Sequence, residues 1–107
     1  MTYPAKMLLI LVDETDTWNE LPLYEAIVRR LVRLELAGAT VQAGIMGFGS
    51  HHRVHRKRLF GVSDDRPIVI SVIDTEDKIR AAAIEIRTMV KEGLVAISNV
   101  EVLTADA

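Results

Sequence analysis

Two short runs limit what this chain can become. Met7-Leu8-Leu9-Ile10-Leu11-Val12 and Ile68-Val69-Ile70-Ser71-Val72-Ile73 are apolar at odd and even positions alike, where a strand with one wet face would alternate. Successive side chains of a strand point to opposite faces, so each run describes a strand covered on both sides and lying inside a sheet. Neither run approaches the eighteen or so apolar residues needed to cross a bilayer. The opening Met1-Thr2-Tyr3-Pro4-Ala5-Lys6 has no basic lead into a signal peptide. A cytoplasmic protein without membrane insertion is expected, with residues 1–107 forming one domain.

Elsewhere the period changes. Leu23, Ile27, Leu31 and Leu34 recur at intervals of three and four, widened by Tyr24, Val28 and Val32, which predicts an amphipathic helix entered near Pro22 and stopped at Gly38. Residues 39–46 mix β-branched, polar and small side chains and read as a less covered second strand. Asp74-Thr75-Glu76-Asp77 supplies a cap and early acids for a second helix. Its buried stripe is Ile79, Ala82, Ala83, Ile86, Met89 and Val90, and its stop is Gly93. Residues 94–103 alternate weakly, as an edge strand does. Two strand-helix-strand units with right-handed crossovers give an α+β, ferredoxin-like βαββαβ sandwich. Its four-stranded antiparallel sheet carries both helices on one face, with the first and third strands central.

Two helices cover only one side of such a sheet. Leu8, Ile10 and Val12 share one face, and Met7, Leu9 and Leu11 share the other. Large apolar side chains left wet would forgo about 1.5–3 kcal/mol each, so self-association through the second face is expected.

Charge and composition narrow the chemistry. There is no cysteine, which removes disulfides, thiol catalysis and thiolate metal sites. Thirteen Lys and Arg against fifteen Asp and Glu leave a net charge of -2, too balanced for a general nucleic-acid-binding surface. Locally the balance fails: His51, His52, Arg53, His55, Arg56, Lys57 and Arg58 crowd into a long basic loop spanning 50–66. That stretch suits phosphates, the acidic surface of a partner protein, or simply solvent. Its histidines alone do not define a metal site, since no acidic ligand sits beside them. Gly47-Phe48-Gly49-Ser50 reads either as a nest of backbone amides for an anion or as a bend with Phe48 tucked into the core. Asp13, Glu14 and Asp16 could serve acid-base or magnesium chemistry, but a solvated turn before a helix explains them as well. Trp18 and Tyr24 read as stacking surfaces or as anchors for the loop and helix.

Taken together, Gly38-Ala39-Thr40-Val41, Gly44-Ile45, Gly47-Phe48-Gly49-Ser50, His55, Pro67-Ile68-Val69 and Val72-Ile73-Asp74 resemble the domain-of-unknown-function family numbered 190. The resemblance runs from Lys6 to Val102. That family is similar in turn to the nitrogen-regulatory PII signalling proteins, homotrimers of ferredoxin-like subunits that hold adenine nucleotides in clefts between subunits. The resemblance makes Gly47, Phe48 and Gly49 the base of an effector-sensitive loop over 50–66, with Ser50 where PII proteins generally carry an arginine. Where PII proteins have a Gly-Asp-Gly-Lys type phosphate-binding segment, this chain has residues 89–95, with Lys91 and Gly93 as the counterparts. Cationic residues of the loop, Arg53 and Arg56 among them, would then supply compensating phosphate contacts. The loop lacks the tyrosine that some PII proteins modify, so uridylylation is not expected. Family members are often encoded near fluoride-channel proteins, which by association implies a regulator of a membrane transporter.

The expectation is a homotrimeric, PII-like regulatory protein, more regulator than enzyme, that senses an adenine nucleotide or other anionic small molecule at intersubunit clefts. Gly47, Phe48, Gly49, Ser50, Arg53, Arg56 and Lys91 would bind the effector, and residues 50–66 would signal to a protein partner. A ligand-free homo-oligomeric interaction module and a small enzyme using Asp13 or His55 stay open beside it.

Overall fold

Both doubly apolar runs lie at the centre of a four-stranded antiparallel sheet. The structure, a computed structural model, describes residues 1–48, the backbone of 55–56, and residues 66–105. Strand β1 (Thr2–Asp13) pairs along Lys6 to Asp13 with β3 (Pro67–Asp74), in a register that sets Ile10 opposite Ile70. Its other edge pairs along Thr2 to Leu11 with β4 (Leu94–Leu103), and β2 (Thr40–Ala43) flanks β3. The order β2-β3-β1-β4 is that of the expected ferredoxin-like sandwich, with β4 on an edge.

Helices α1 (Leu23–Arg33) and α2 (Glu76–Met89) close one face. Leu8, Ile10, Val12, Ile68, Ile70 and Val72 from the central strands bury against Leu23, Ile27 and Leu31 of α1 and Ile79, Ala82, Ile86 and Met89 of α2. Each large side chain so removed from water contributes about 1.5–3 kcal/mol, which makes this layer the main source of stability. Arg30 of α1 donates to Glu85 of α2 at 2.8 Å and joins the helices at their solvent edge. Thr75 caps α2 by accepting from the Lys78 amide, as its sequence signal predicts.

The opposite face is different. Met7, Leu9, Leu11 and Val69 are only half-buried in the single chain, and Ile73 and Leu94 are 47% and 50% exposed. Cross-strand pairing carries this apolar surface across β3, β1 and β4, through Met7 opposite Ile73 and Leu11 opposite Leu94. No helix among the described residues is long and apolar enough to span a membrane.

Two local expectations are corrected, and a hairpin is added. Helix α1 stops before Gly38: Leu36 N donates to Leu31 O and Glu35 N to Val32 O, a Schellman ending with Glu35 at φ 62°. Leu36 packs against the core just after this stop, and a glutamate occupies the left-handed position usually given to glycine. The ending is tied to α2, since Lys78 Nζ donates to Glu35 O and the Ala37 amide to Asp74 Oδ2. Val32, assigned to the buried face by its spacing, is 71% exposed, while its neighbour Leu31 takes the buried position. The segment after β1 is a small hairpin, Thr17–Trp18 against Leu21–Pro22, turned by Asn19 and Glu20 at φ 48° and 70°. It brings Trp18 half-buried onto the core, as an anchor.

Two substitutions test these backbone readings. Glu35→Gly removes the cost of a left-handed L-residue and should stabilise the protein by about 1 kcal/mol in urea unfolding. At Gly93, φ is 146° and an added Cβ would lie 2.3 Å from the Leu11 carbonyl oxygen. Gly93→Ala should therefore destabilise by about 2 kcal/mol or more in the same measurement.

Candidate functional site

Of the resemblance-based site residues, Gly47, Phe48 and Lys91 are described in full, and all three lie at one end of the sheet, where β1 and β2 finish and β3 and β4 begin. Reading across that end, Ala43 pairs with Ile68, Ile68 with Val12, and Leu11 with Leu94. Gly44 continues the β2 ladder by donating to the Pro67 carbonyl at 2.7 Å. The chain then turns, and Met46–Gly47 pairs with His55–Arg56 as a second small hairpin. Sequence periodicity misses that hairpin because two paired residues are too few to show alternation.

Pro67 shapes this turn. Its ring lies where side chains at Gly44 and Gly47 would be: an added Cβ would come within 2.7 Å of Cγ at Gly44 and 3.2 Å at Gly47. The two glycines are thus matched to one neighbour, and they let the chain leaving β2 fold tightly over the start of β3. Phe48 emerges from the turn 69% exposed, so the alternative of a core-packed phenylalanine is set aside.

Beside Pro67, Arg66 is clasped to the end of β1. Its carbonyl accepts from the Glu14 amide at 2.9 Å. Its Nε donates to the two Glu14 carboxylate oxygens at 3.0 and 3.1 Å, and Nη2 also bonds Oε2. The guanidinium hydrogen bond holds the Glu14 carboxyl below its ordinary value, against a smaller opposing effect of burial. The neighbouring acids are engaged in the turn. Asp13 Oδ1 accepts from the amide and hydroxyl of Thr15, and Asp16 Oδ2 accepts from the Asp13 amide. That arrangement shapes the turn, with Asp13 Oδ1 and Asp16 Oδ2 as its acceptors.

Lys91 stands on the exposed turn between α2 and β4. It shares the sheet end with Gly47 and Phe48 but leads into the opposite edge strand, β2 and β4 being three interstrand spacings of about 4.8 Å each apart. Within one chain Gly47 and Phe48 thus stand at one edge of this sheet end and Lys91 beside the other. Gly49, Ser50 and Arg53 lie outside the described residues, as do His51 and His52, and of His55 and Arg56 only the backbone pairing is described. The 50–66 loop is accordingly outside the described residues except at 55–56 and at Arg66. Among the described residues no cluster of three His, Asp or Glu side chains forms a metal site. Sequence reading passed over Arg66 and Pro67 as site-forming residues; the only available signal was their place between a polar excursion and a doubly apolar strand.

Residues 5–102 match the sequence pattern of DUF190, a family described as an uncharacterized ACR. A UPF0166 protein of Aquifex aeolicus is 32% identical over 98 residues, covering 92% of each chain. Another from Methanocaldococcus jannaschii is 31% identical over 99 residues, covering 92% of this chain and 91% of the relative. Among solved structures, CPII of Thiomonas intermedia K12, a nitrogen regulatory PII-like protein bound to ADP, AMP and bicarbonate, superposes with a TM-score of 0.74. It is 22% identical, and the match covers 95% of this chain and 91% of CPII. A PII-like signalling protein of Thermus thermophilus gives a TM-score of 0.69 at 18% identity, covering 95% and 92% of the two chains. The fold is thus PII-like.

Two measurements check the geometry of this end. Gly44→Ala should cost about 1–3 kcal/mol by overpacking against the proline ring. Pro67→Ala in the same chain should return most of that loss, so a double-mutant cycle in urea must show strong coupling. For Glu14 the folded pKa is depressed, so its contribution to stability is present above the unfolded value of 4.5 and is lost as pH falls through the folded value. Urea midpoints followed downward from pH 5 should fall less steeply for Glu14→Gln than for the unchanged chain.

Proposed function

The chain belongs to the DUF190 family, and from that membership and its PII-like fold we propose that it is a cytoplasmic regulatory protein that senses an adenine nucleotide or a related small anion. The effector sits in clefts between copies of the chain, and the 50–66 segment passes the signal to a protein partner, a membrane transporter in the association the family resemblance suggests. The observation that carries this reading is the division of the candidate site. Gly47 and Phe48 stand at the β2 edge of the sheet end and Lys91 at the β4 edge, so a compact ligand would meet both only where two copies adjoin. The uncovered apolar face of Met7, Leu9, Leu11 and Ile73 supports such an assembly, because burying it against sister copies recovers the hydrophobic stabilisation that the helices leave unused.

Glycine-rich backbone, a lysine brought in from a neighbouring copy and the arginines of the basic segment suit a phosphate: amides approach closely where no Cβ intervenes, and cationic groups neutralise the charge. CPII, which has the same fold, was solved with ADP, AMP and bicarbonate, and this makes those molecules the first to try. A ligand acts here by binding one arrangement of the loop base more tightly than another. The interaction-module alternative differs in one respect, partner capture without any response to small molecules.

Calorimetric titration with ATP, ADP, AMP and cyclic nucleotides tests the reading. Binding of at least one is expected, weakened about tenfold or more by Lys91→Ala, since a charge-assisted hydrogen bond is worth roughly 1.5–3 kcal/mol. No heat with any of them overturns the nucleotide reading. In sedimentation the chain should run as an oligomer, and Leu9→Asp on the apolar face should break it to monomers. A monomeric unchanged chain at micromolar concentration overturns the intersubunit cleft.

A further inference from the structure

The turn that presents Gly47 and Phe48 has no strand partner of its own in the four-stranded sheet. Besides its short pairing with His55–Arg56, it rests on Pro67: one backbone hydrogen bond from Gly44, and a ring seated against Gly44 and Gly47. Pro67 is the first residue of β3, so its placement depends on what fixes the chain just before it. That is Arg66, gripped twice by Glu14: the Glu14 amide donates to the Arg66 carbonyl, and the Arg66 guanidinium bonds both oxygens of the Glu14 carboxylate. Both side chains are partly shielded, Arg66 31% and Glu14 24% exposed, so solvent competes with the pair somewhat less than at an open surface. A residue preceding proline is already restricted to extended backbone, and a clasp on both its carbonyl and its side chain removes most of the remaining freedom.

We propose that Glu14 and Arg66 are positioning residues for the Gly44 to Phe48 turn, acting through Pro67 to set the direction in which Gly47 and Phe48 face an effector. Neither residue belongs to the glycine motif, and Glu14 read from sequence as part of an acidic turn. The clasp links the end of central strand β1 to a turn beyond edge strand β2, with β3 as the rigid element between them. The consequence for effector binding rests on the nucleotide-sensing reading above; the positioning itself does not.

Amide hydrogen exchange on the full chain separates the two. Wild type, Glu14→Gln, Arg66→Gln and the swap Glu14→Arg with Arg66→Glu would be compared. Each single variant should speed exchange at the Gly44 amide about tenfold, the equivalent of one charged hydrogen bond, while the amides of Ile10 and Ile70 in the central strands keep their rates. The swap should restore most of the protection. An unchanged Gly44 rate in both single variants, or equal acceleration at Gly44, Ile10 and Ile70, overturns the proposal. Titration with ADP supplies the second readout. A several-fold weaker affinity in Glu14→Gln supports the link to the effector, and undiminished affinity in a variant whose Gly44 amide has loosened overturns it. If neither ADP nor any of the other nucleotides binds any of the four proteins, the nucleotide-sensing reading fails, while the exchange rates still decide the positioning role.

Discussion

The structure depends on one pairing, β1 against β3, in which both strands are apolar on both faces. With Ile10 opposite Ile70 and Leu8 opposite Val72, the inner face forms a continuous floor for the helices, and each of these four side chains is at most 1% exposed. The same pairing lays out the outer face, where Met7 meets Ile73 and Leu11 meets Val69. A period of two allows no compromise between these surfaces: any register that buries the first set displays the second. The proposed assembly therefore follows from the same alternation that builds the monomer core.

The sheet end inherits its geometry from that pair. Because the β1 chain runs on past its last pair with β3 into the Glu14 turn, and β3 opens on Arg66-Pro67, the place where β2 departs is built from residues of three separate strand ends. Close packing of a proline ring on glycine positions is rigid, since neither side has a rotamer to change. The Glu14–Arg66 pair beside it is of another kind, charged and partly solvated, and so open to competition from other ions. A turn held by one rigid and one exchangeable contact can be well defined in its fold and still be adjustable in direction. That combination suits the recognition role argued for Gly47 and Phe48.

Much of this was legible in the sequence, for reasons that can be stated. Six-residue runs apolar at both parities mark central strands because no other common environment tolerates them, and Asp74-Thr75-Glu76-Asp77 marks a helix start because its side chains satisfy free amides. Gly38 misled because glycine preference is a local argument. The helix ends earlier, with Leu36 N bonded to Leu31 O and Leu36 packed against the core while Glu35 takes a positive φ. The hairpin at Trp18 and the pairing of Met46–Gly47 with His55–Arg56 were hidden by brevity. The divided site was hidden for another reason: Gly47 and Lys91 are each recognisable in sequence, but only the strand order reveals that a sheet's width lies between them.

That width also bears on how a signal could travel. A ligand held at the junction of two copies would touch the Gly47 turn of one and the Lys91 turn of its neighbour, and each turn is rooted in a different edge of the sheet. Lys91 follows directly on α2 and its C-terminal Val90, where Met89 and Val90 are buried, and precedes Gly93, whose backbone is pressed against Leu11. Such a turn has little room to move, whereas the Gly47 turn is set by the clasp at Arg66. In a cleft with one stiff wall and one adjustable wall, binding energy is released as movement on the adjustable side. Residues 50–66 leave from that side, so the place where an effector could act and the segment that would report it share one root.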